Sequence, residues 1–227
     1  MGGCGDLAFK VEFILTMIIV TGGAGFIGSA FVAAANAAGR DDIIVVDELG
    51  TSEKWKNLRG KHILDYLEKD RFHCLLEQHK FPAKPEAVVH LGACSSTTEQ
   101  DAAYMMETNY RSTKLIAEWA LRENIRFIYS SSAATYGDGS LGFSDADETT
   151  LQLKPLNIYA LSKQLIDVWA VKTGAAQKMA GIKFFNVYGP NEYHKGGMTS
   201  VVYQAFNQIS STGKLRLFKS YRPDFAD

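Results

Sequence analysis

The chain has 227 residues, 46% of them hydrophobic, enough to bury one large domain or one domain with part of a second. Its 24 Lys and Arg stand against 25 Asp and Glu for a net charge of −1, so no basic surface points to nucleic acid. Cys4, Cys74 and Cys94 are few and widely spaced; they fit neither a disulfide framework nor a zinc site and suit a reducing cytoplasm.

Residues 1–16 precede the first clear element and read as an N-terminal extension of uncertain status, with Met17 a natural first residue in its own right. The apolar run from Phe13 to Val20 is too short to span a bilayer. A glycine turn follows it at once, which favours a buried strand over a signal-peptide region. Ile18 to Thr21 reads as that strand, and Phe26 to Ala38 as an Ala-rich helix ended by Gly39. Ile43 to Val46 forms a second strand ending at Asp47. Ala87 to Leu91 is the next, followed by a helix from near Glu99 to Arg122. Arg126 to Ser131 is a further strand, then a loop, then a helix carrying Tyr159 to near Val171. Ile182 to Val187 is the last strand, ahead of Tyr188-Gly189-Pro190. These strands are unbroken Val, Ile and Phe runs, as expected when both faces are buried. The fold class is therefore α/β, a doubly wound parallel sheet with helices on either side.

Gly22, Gly25 and Gly28 follow the first strand and open the first helix. The early glycines permit a tight turn and close approach of backbone to a pyrophosphate, Gly28 lets the helix pack, and the helix N-terminus attracts the anion. Asp47, about 20 residues on at the end of the second strand, completes a dinucleotide fingerprint. Asp47 alone favours a free ribose 2′-hydroxyl and hence NAD. Lys54 either neutralises a 2′-phosphate, hence NADP, or is an ordinary surface lysine. Small residues in Leu91-Gly92-Ala93-Cys94-Ser95 stand at a strand's C-terminal end, where such sheets receive ligands. Cys94 reads there as a small residue rather than a nucleophile, because no base is indicated beside it. His62, His73, His79 and His90 show no metal-ligand spacing.

Tyr159 and Lys163 are four apart and so share one helical face. A free phenol has a pKa near 10 and must fall roughly 3 units to act as a base near neutrality. A neighbouring ammonium and a cationic nicotinamide ring both act in that direction. Ser132, on a different strand, supplies a hydroxyl for the reacting oxygen. Lys195, in a Gly-rich loop, is either solvated or a second acid/base group.

With these residues in view, the chain resembles the extended short-chain dehydrogenase/reductases that act on nucleotide sugars, the NAD-dependent epimerase/dehydratase family. Within that family it is most similar to the ADP-heptose 6-epimerases. The resemblance rests on Met17 to Ser29, on Gly92 to Glu99 with Tyr104-Met105-Met106, and on Ser131 to Gly137. Lys154 to Lys163, and Phe185 to Pro190 with His194-Lys195-Gly196, complete it. It implies a Rossmann-type domain over 17–180. Residues 181–227 would then hold the end of the sheet and the start of a substrate-binding region, partial and truncated at the C-terminus because relatives continue beyond Asp227.

The resemblance further implies Tyr159, Lys163 and Ser132 as catalytic residues, with Lys195 as a second base. It places Gly22, Gly25, Phe26, Ile27, Gly28, Asp47, Glu48, Lys54, Lys69, Leu91, Gly92, Ala93, Cys94, Ser95, Asn109, Lys163 and Val187 around a cofactor. That cofactor is NADP in the family's usual case, although Glu48 adds a carboxylate that works against a 2′-phosphate and leaves NAD open. Ser132, Asn186, Lys195, Gly197, Gln204 and Phe218 fall on the substrate side.

The implied reaction inverts C6 of the heptose of ADP-heptose by transient oxidation and re-reduction, supplying heptose for lipopolysaccharide core in the cytoplasm. Two alternatives remain: a nucleotide-sugar 4-epimerase or reductase of the same family, and a catalytically silent fragment that binds dinucleotide. A dehydratase fits less well, because Ala133-Ala134 stand where those enzymes carry Asp-Glu. The expected partner is the nucleotide sugar, with neither nucleic acid nor membrane, and the resemblance implies a homo-oligomer at full length.

Overall fold

The computed structural model describes residues 17–217. The expectations for residues 1–16 and Phe218 therefore lie outside the described residues. The strands are β1 (Ile18–Thr21), β2 (Ile43–Asp47), β3 (Asp65–Glu68), β4 (Ala87–His90), β5 (Arg126–Ser132) and β6 (Met179–Phe184). They form one sheet in the order β3-β2-β1-β4-β5-β6, every neighbouring pair parallel. The helices are α1 (Phe26–Ala37), α2 (Lys69–Glu77), α3 (Ala102–Met105), α4 (Ser112–Arg122), α5 (Asp147–Thr150), α6 (Ile158–Lys172) and α7 (Val201–Thr212).

Successive side chains of a strand point to opposite faces, and here both faces are covered. Ile19, Ile44 and Val46 join Phe72, Ile116, Phe127 and Ile166 in the larger core, with residues of α2, α4 and α6. Val20, Ile43 and Val45 point the other way and meet Val32 of α1. That is why the central strands read as continuous apolar runs. The strand order reverses between β1 and β4, and ligands of such sheets bind at the crevice beyond the strand ends there.

Three features depart from the sequence expectation. The last strand is Met179–Phe184 rather than 182–187. Its register is set by pairing with β5, Phe127 opposite Met179 and Ser132 opposite Phe184. Being an edge strand it leaves Ala180, Gly181 and Ile182 exposed, so its apolar content is a poor guide to its position. β3, with only Leu67 buried, is the opposite edge and carries too little apolar signal to be recognised. The long helix after β4 is interrupted. α3 and α4 are joined by a π-helical turn, Met106–Arg111, which holds the fully buried Asn109.

Beneath the sheet's last two strands lies a buried polar cluster. Asp167 of α6 accepts hydrogen bonds from Tyr129 Oη at 2.7 Å, from Ser131 Oγ at 2.7 Å and from Lys183 Nζ. Lys183 Nζ also donates to Thr135 Oγ1 at 2.8 Å. The cluster fixes α6, and with it the Tyr159–Lys163 face, against β5 and β6.

Candidate active site

A cleft of about 660 Å³ opens at the C-terminal ends of β1 and β4. One end is the glycine turn after β1. Gly22 has φ +66°, and a Cβ there would stand 2.6 Å from the amide nitrogen of Gly92. A Cβ on Gly28 would stand 2.0 Å from the carbonyl oxygen of Gly22. The backbones therefore touch where a side chain would intrude, and this cradle fits a pyrophosphate approached by bare backbone at the start of α1. Gly28→Ala is expected to cost about 1–3 kcal/mol of stability through forced backbone shifts. It should also abolish measurable dinucleotide binding by calorimetry; retained affinity would remove the cradle from that role.

Asp47 stands beside the cradle as expected, but its carboxylate is already engaged. Oδ2 accepts the Ala24 N–H at 2.8 Å, and Oδ1 accepts the Glu48 N–H and Lys54 Nζ, each at 2.7 Å. Glu48 pairs with Lys69 at 2.6 Å, and that lysine holds the Glu48 carboxyl below its ordinary pKa. Each carboxylate at this end thus has its own ammonium, so Glu48 does not stand as an uncompensated negative charge.

The other end of the cleft is built from β5 and α6. Asn157 caps α6 by accepting the Ala160 N–H at 2.8 Å. Two turns of the helix then carry Tyr159 and Lys163 into the cleft, where Ser132 joins them from the end of β5. Lys163 is 4% exposed and donates to Ser130 O at 2.8 Å and Ser130 Oγ at 3.2 Å. Burial pushes its pKa down to about 8, against the attraction of Asp167. Burial raises the Tyr159 phenol above its ordinary value, and a hydrogen bond with Ser132 works in the opposite sense. The protein alone therefore leaves Tyr159 protonated at neutral pH. A further positive charge, which an oxidised nicotinamide supplies, is what would make it a base.

Most of the residues singled out from sequence meet in this cleft. Gly22, Gly25, Phe26, Ile27, Gly28, Asp47, Lys54, Leu91, Gly92, Ala93, Ser95, Ser132, Tyr159, Lys163, Asn186, Val187 and Lys195 all line it. Glu48, Lys69 and Cys94 line an adjoining cavity of about 380 Å³. Lys195 Nζ lies 5.6 Å from the centre of the Phe26 ring, above the start of α1.

Three residues lie elsewhere. Asn109 lines neither cavity. Its Oδ1 accepts the Cys94 N–H at 2.8 Å, and its Nδ2 lies 2.9 Å from Cys94 O and 3.0 Å from Ser162 Oγ. It joins the loop after β4 to α6 instead of facing the cleft. Gln204 Nε2 donates to Thr199 O at 2.9 Å and to Gly197 O at 3.2 Å, so Gln204 and Gly197 belong to the fold of the loop before α7.

The structure adds residues that the motifs did not single out for the site. Phe184 and Met198 line the cleft, beside His194 of the His194-Lys195-Gly196 stretch, and His73, Tyr104 and Ser112 line the second cavity. His90 is 2% exposed and lies 2.6 Å from Thr21 Oγ1 and 2.8 Å from Thr113 Oγ1. Thr113 gives its one hydroxyl proton to Asn109 O, so His90 carries its proton on Nε2 and accepts from Thr21 at Nδ1. Burial holds its pKa down to about 3, which makes it a neutral strut between the cradle and the π-helical turn.

A glycine cradle on a doubly wound sheet, facing a buried lysine, a tyrosine and a serine, is the layout of a dinucleotide-binding domain. Residues 18–225 match the model of the NAD dependent epimerase/dehydratase family, and the chain belongs to that family. It is 56% identical over 211 residues to an ADP-L-glycero-D-manno-heptose-6-epimerase of Nitratidesulfovibrio vulgaris. The match covers 93% of this chain and 65% of the relative. It is 48% identical over 214 residues to the enzyme of that name from Fusobacterium nucleatum, covering 93% and 64%. The crystal structure of Helicobacter pylori ADP-L-glycero-D-manno-heptose-6-epimerase matches with a TM-score of 0.73 at 25% identity. It covers 91% of this chain and 67% of that one. A Thermotoga maritima UDP-glucose 4-epimerase structure matches with a TM-score of 0.68 at 27% identity, covering 86% and 63%. The chain thus spans about two thirds of the length of these relatives.

Proposed function

We propose that this protein inverts C6 of the heptose in ADP-heptose, with a bound nicotinamide dinucleotide that is oxidant in one half of the cycle and reductant in the other. The observation that carries this reading is the convergence of Ser132, Tyr159, Lys163 and Lys195 on one cleft whose far end is the glycine cradle. Identity of 56% to a named ADP-heptose 6-epimerase supports the substrate. In this reading the Ser132 hydroxyl holds the reacting oxygen and Tyr159 removes its proton. Lys163, buried and close to neutrality in its pKa, favours the phenolate. Once the carbon is a planar carbonyl it turns its other face and Lys195 gives a proton to the oxygen; Tyr159 and Lys195 then regain their starting protonation through solvent. Ala133 and Ala134, beside Ser132 in the cleft lining, have no group that exchanges protons, which argues against elimination of water.

We assign NADP as the cofactor. The support is the pair Lys54 and Lys69, which bring two ammonium groups to the ribose end and neutralise Asp47 and Glu48 there. The proposed place is cytoplasmic, in the supply of heptose for lipopolysaccharide core. Among the described residues no helix is long and apolar enough to cross a membrane.

Purified protein given either C6 epimer without added cofactor is expected to produce the other, read by proton NMR; turnover of C4 epimers alone would refute the substrate. Lys195→Met separates the two proton-handling groups. In single-turnover half-reactions, oxidation of one epimer should fall about 100-fold and that of the other stay within about threefold of wild type. Equal small effects on both would return Lys195 to the surface.

A further inference from the structure

The loop carrying Lys195 is tied to the glycine cradle through Asn57, a residue outside every motif considered above. Asn57 is 8% exposed and lies on the 3-10 turn Glu53–Leu58. Its Nδ2 lies 3.0 Å from Ala24 O, 3.1 Å from Asn191 O and 3.2 Å from His194 Nδ1. Its two N–H groups thus join Ala24 O of the cradle to Asn191 O of the Lys195 loop, with His194 packed beside them. A second link runs the same way: Asn191 Nδ2 donates to Ser29 Oγ in α1 at 3.0 Å. Asn191 has φ +75°, a left-handed conformation that asparagine tolerates better than most side chains.

The loop is itself compact. Glu192 is 2% exposed and accepts from the Gly189 N–H, the Ser200 N–H and Ser200 Oγ. The Lys195 N–H donates to Glu192 O at 3.0 Å. On the cradle side, Ala24 is gripped at both of its backbone groups. Asp47, held by Lys54, takes its N–H, and Asn57 takes its carbonyl.

We propose that Asn57 is a positioning residue that locks the Lys195 loop to the pyrophosphate cradle, so that dinucleotide binding at the cradle orders the loop. The consequence for catalysis rests on the Lys195 role proposed above; the lock itself does not.

Hydrogen exchange of the cofactor-stripped protein, with and without added dinucleotide, tests it. In the wild type, dinucleotide should slow amide exchange across 189–198 about tenfold, the worth of one buried hydrogen bond. In Asn57→Ala the same amides should exchange about tenfold faster and gain no protection from dinucleotide, while those of α6 stay as in wild type. Asn57→Asp keeps the size of the side chain but removes its donors, and should behave alike if the alanine variant folds poorly. Unchanged exchange across 189–198, or dinucleotide protection equal to wild type, would overturn the lock.

The half-reaction slowed by Lys195→Met should also be slowed by Asn57→Ala, and the double variant should be no slower than Lys195→Met alone. Additive losses would overturn the positioning role. If Lys195→Met leaves both half-reactions intact, the assignment of Lys195 fails, and the exchange result still decides the lock.

Discussion

Replacing Tyr159 by Phe is expected to lower epimerisation about 10²- to 10⁴-fold while leaving dinucleotide affinity near wild type. The phenyl ring keeps the packing of α6 and removes the single atom to which the proposed mechanism gives the substrate proton. The size of the effect follows from where the phenol stands. Burial raises its pKa, and only the hydrogen bond with Ser132 opposes this. The hydroxyl is therefore set to work with a cation beside it. Lys163 shares its helical face, with a pKa held down to about 8. Lys163 loses its proton near pH 8, below the range in which Tyr159 ionises unaided, so activity should fall as pH rises through the titration of Lys163. Steady-state rates across pH for both proteins check this; a Phe variant within about threefold of wild type would remove Tyr159 from the chemistry.

Asp167→Ala should be the most damaging change away from the cleft, costing about 3–5 kcal/mol, because it leaves the Lys183 ammonium buried without its carboxylate. Tyr129 and Ser131 lose their acceptor in the same step. For a chain of this size that loss corresponds to roughly 6–20 °C in Tm, which a thermal melt reads directly. Lys183→Met in the same protein should restore part of it, because the unpaired charge goes too. Asp167 also attracts the Lys163 ammonium. Without it Lys163 should titrate lower, and the alkaline limb of the activity profile should move to lower pH. A melt within about 2 °C of wild type would contradict the structural role of the cluster.

How much of this was legible in the sequence depended on the kind of signal. β1, β2 and β4 were readable because both faces of a central parallel strand are buried, so their composition is unambiguous. β3 and β6 were not, or were misplaced, because an edge strand buries little, and its position comes from the neighbour it pairs with. α7 was missed because none of its residues is buried, so no core contact stood behind its pattern. In the site, Tyr159, Lys163, Ser132 and the glycines were found through local spacing. Asp47 was found too, but not its Lys54 partner's effect, which spans seven residues and needs a turn to close. Asn57, His90 and Asn109 could not have been found that way. Each acts through partners far along the chain, Asn57 through acceptors 33 and 134 residues away. The signal they leave in the sequence is an ordinary polar residue. Glu48 shows a partner the sequence hides: in the fold Lys69, 21 residues on, pairs with it.

The claim on which the rest depends is that a single carbon is oxidised and re-reduced with its own hydrogen, inside a cleft that never exchanges it with water. Epimerisation of ADP-heptose by the purified protein in D2O, followed by NMR, tests that directly. The expected product is the C6 epimer with no deuterium at C6. Deuterium at C6, or no interconversion of the C6 epimers, would contradict it.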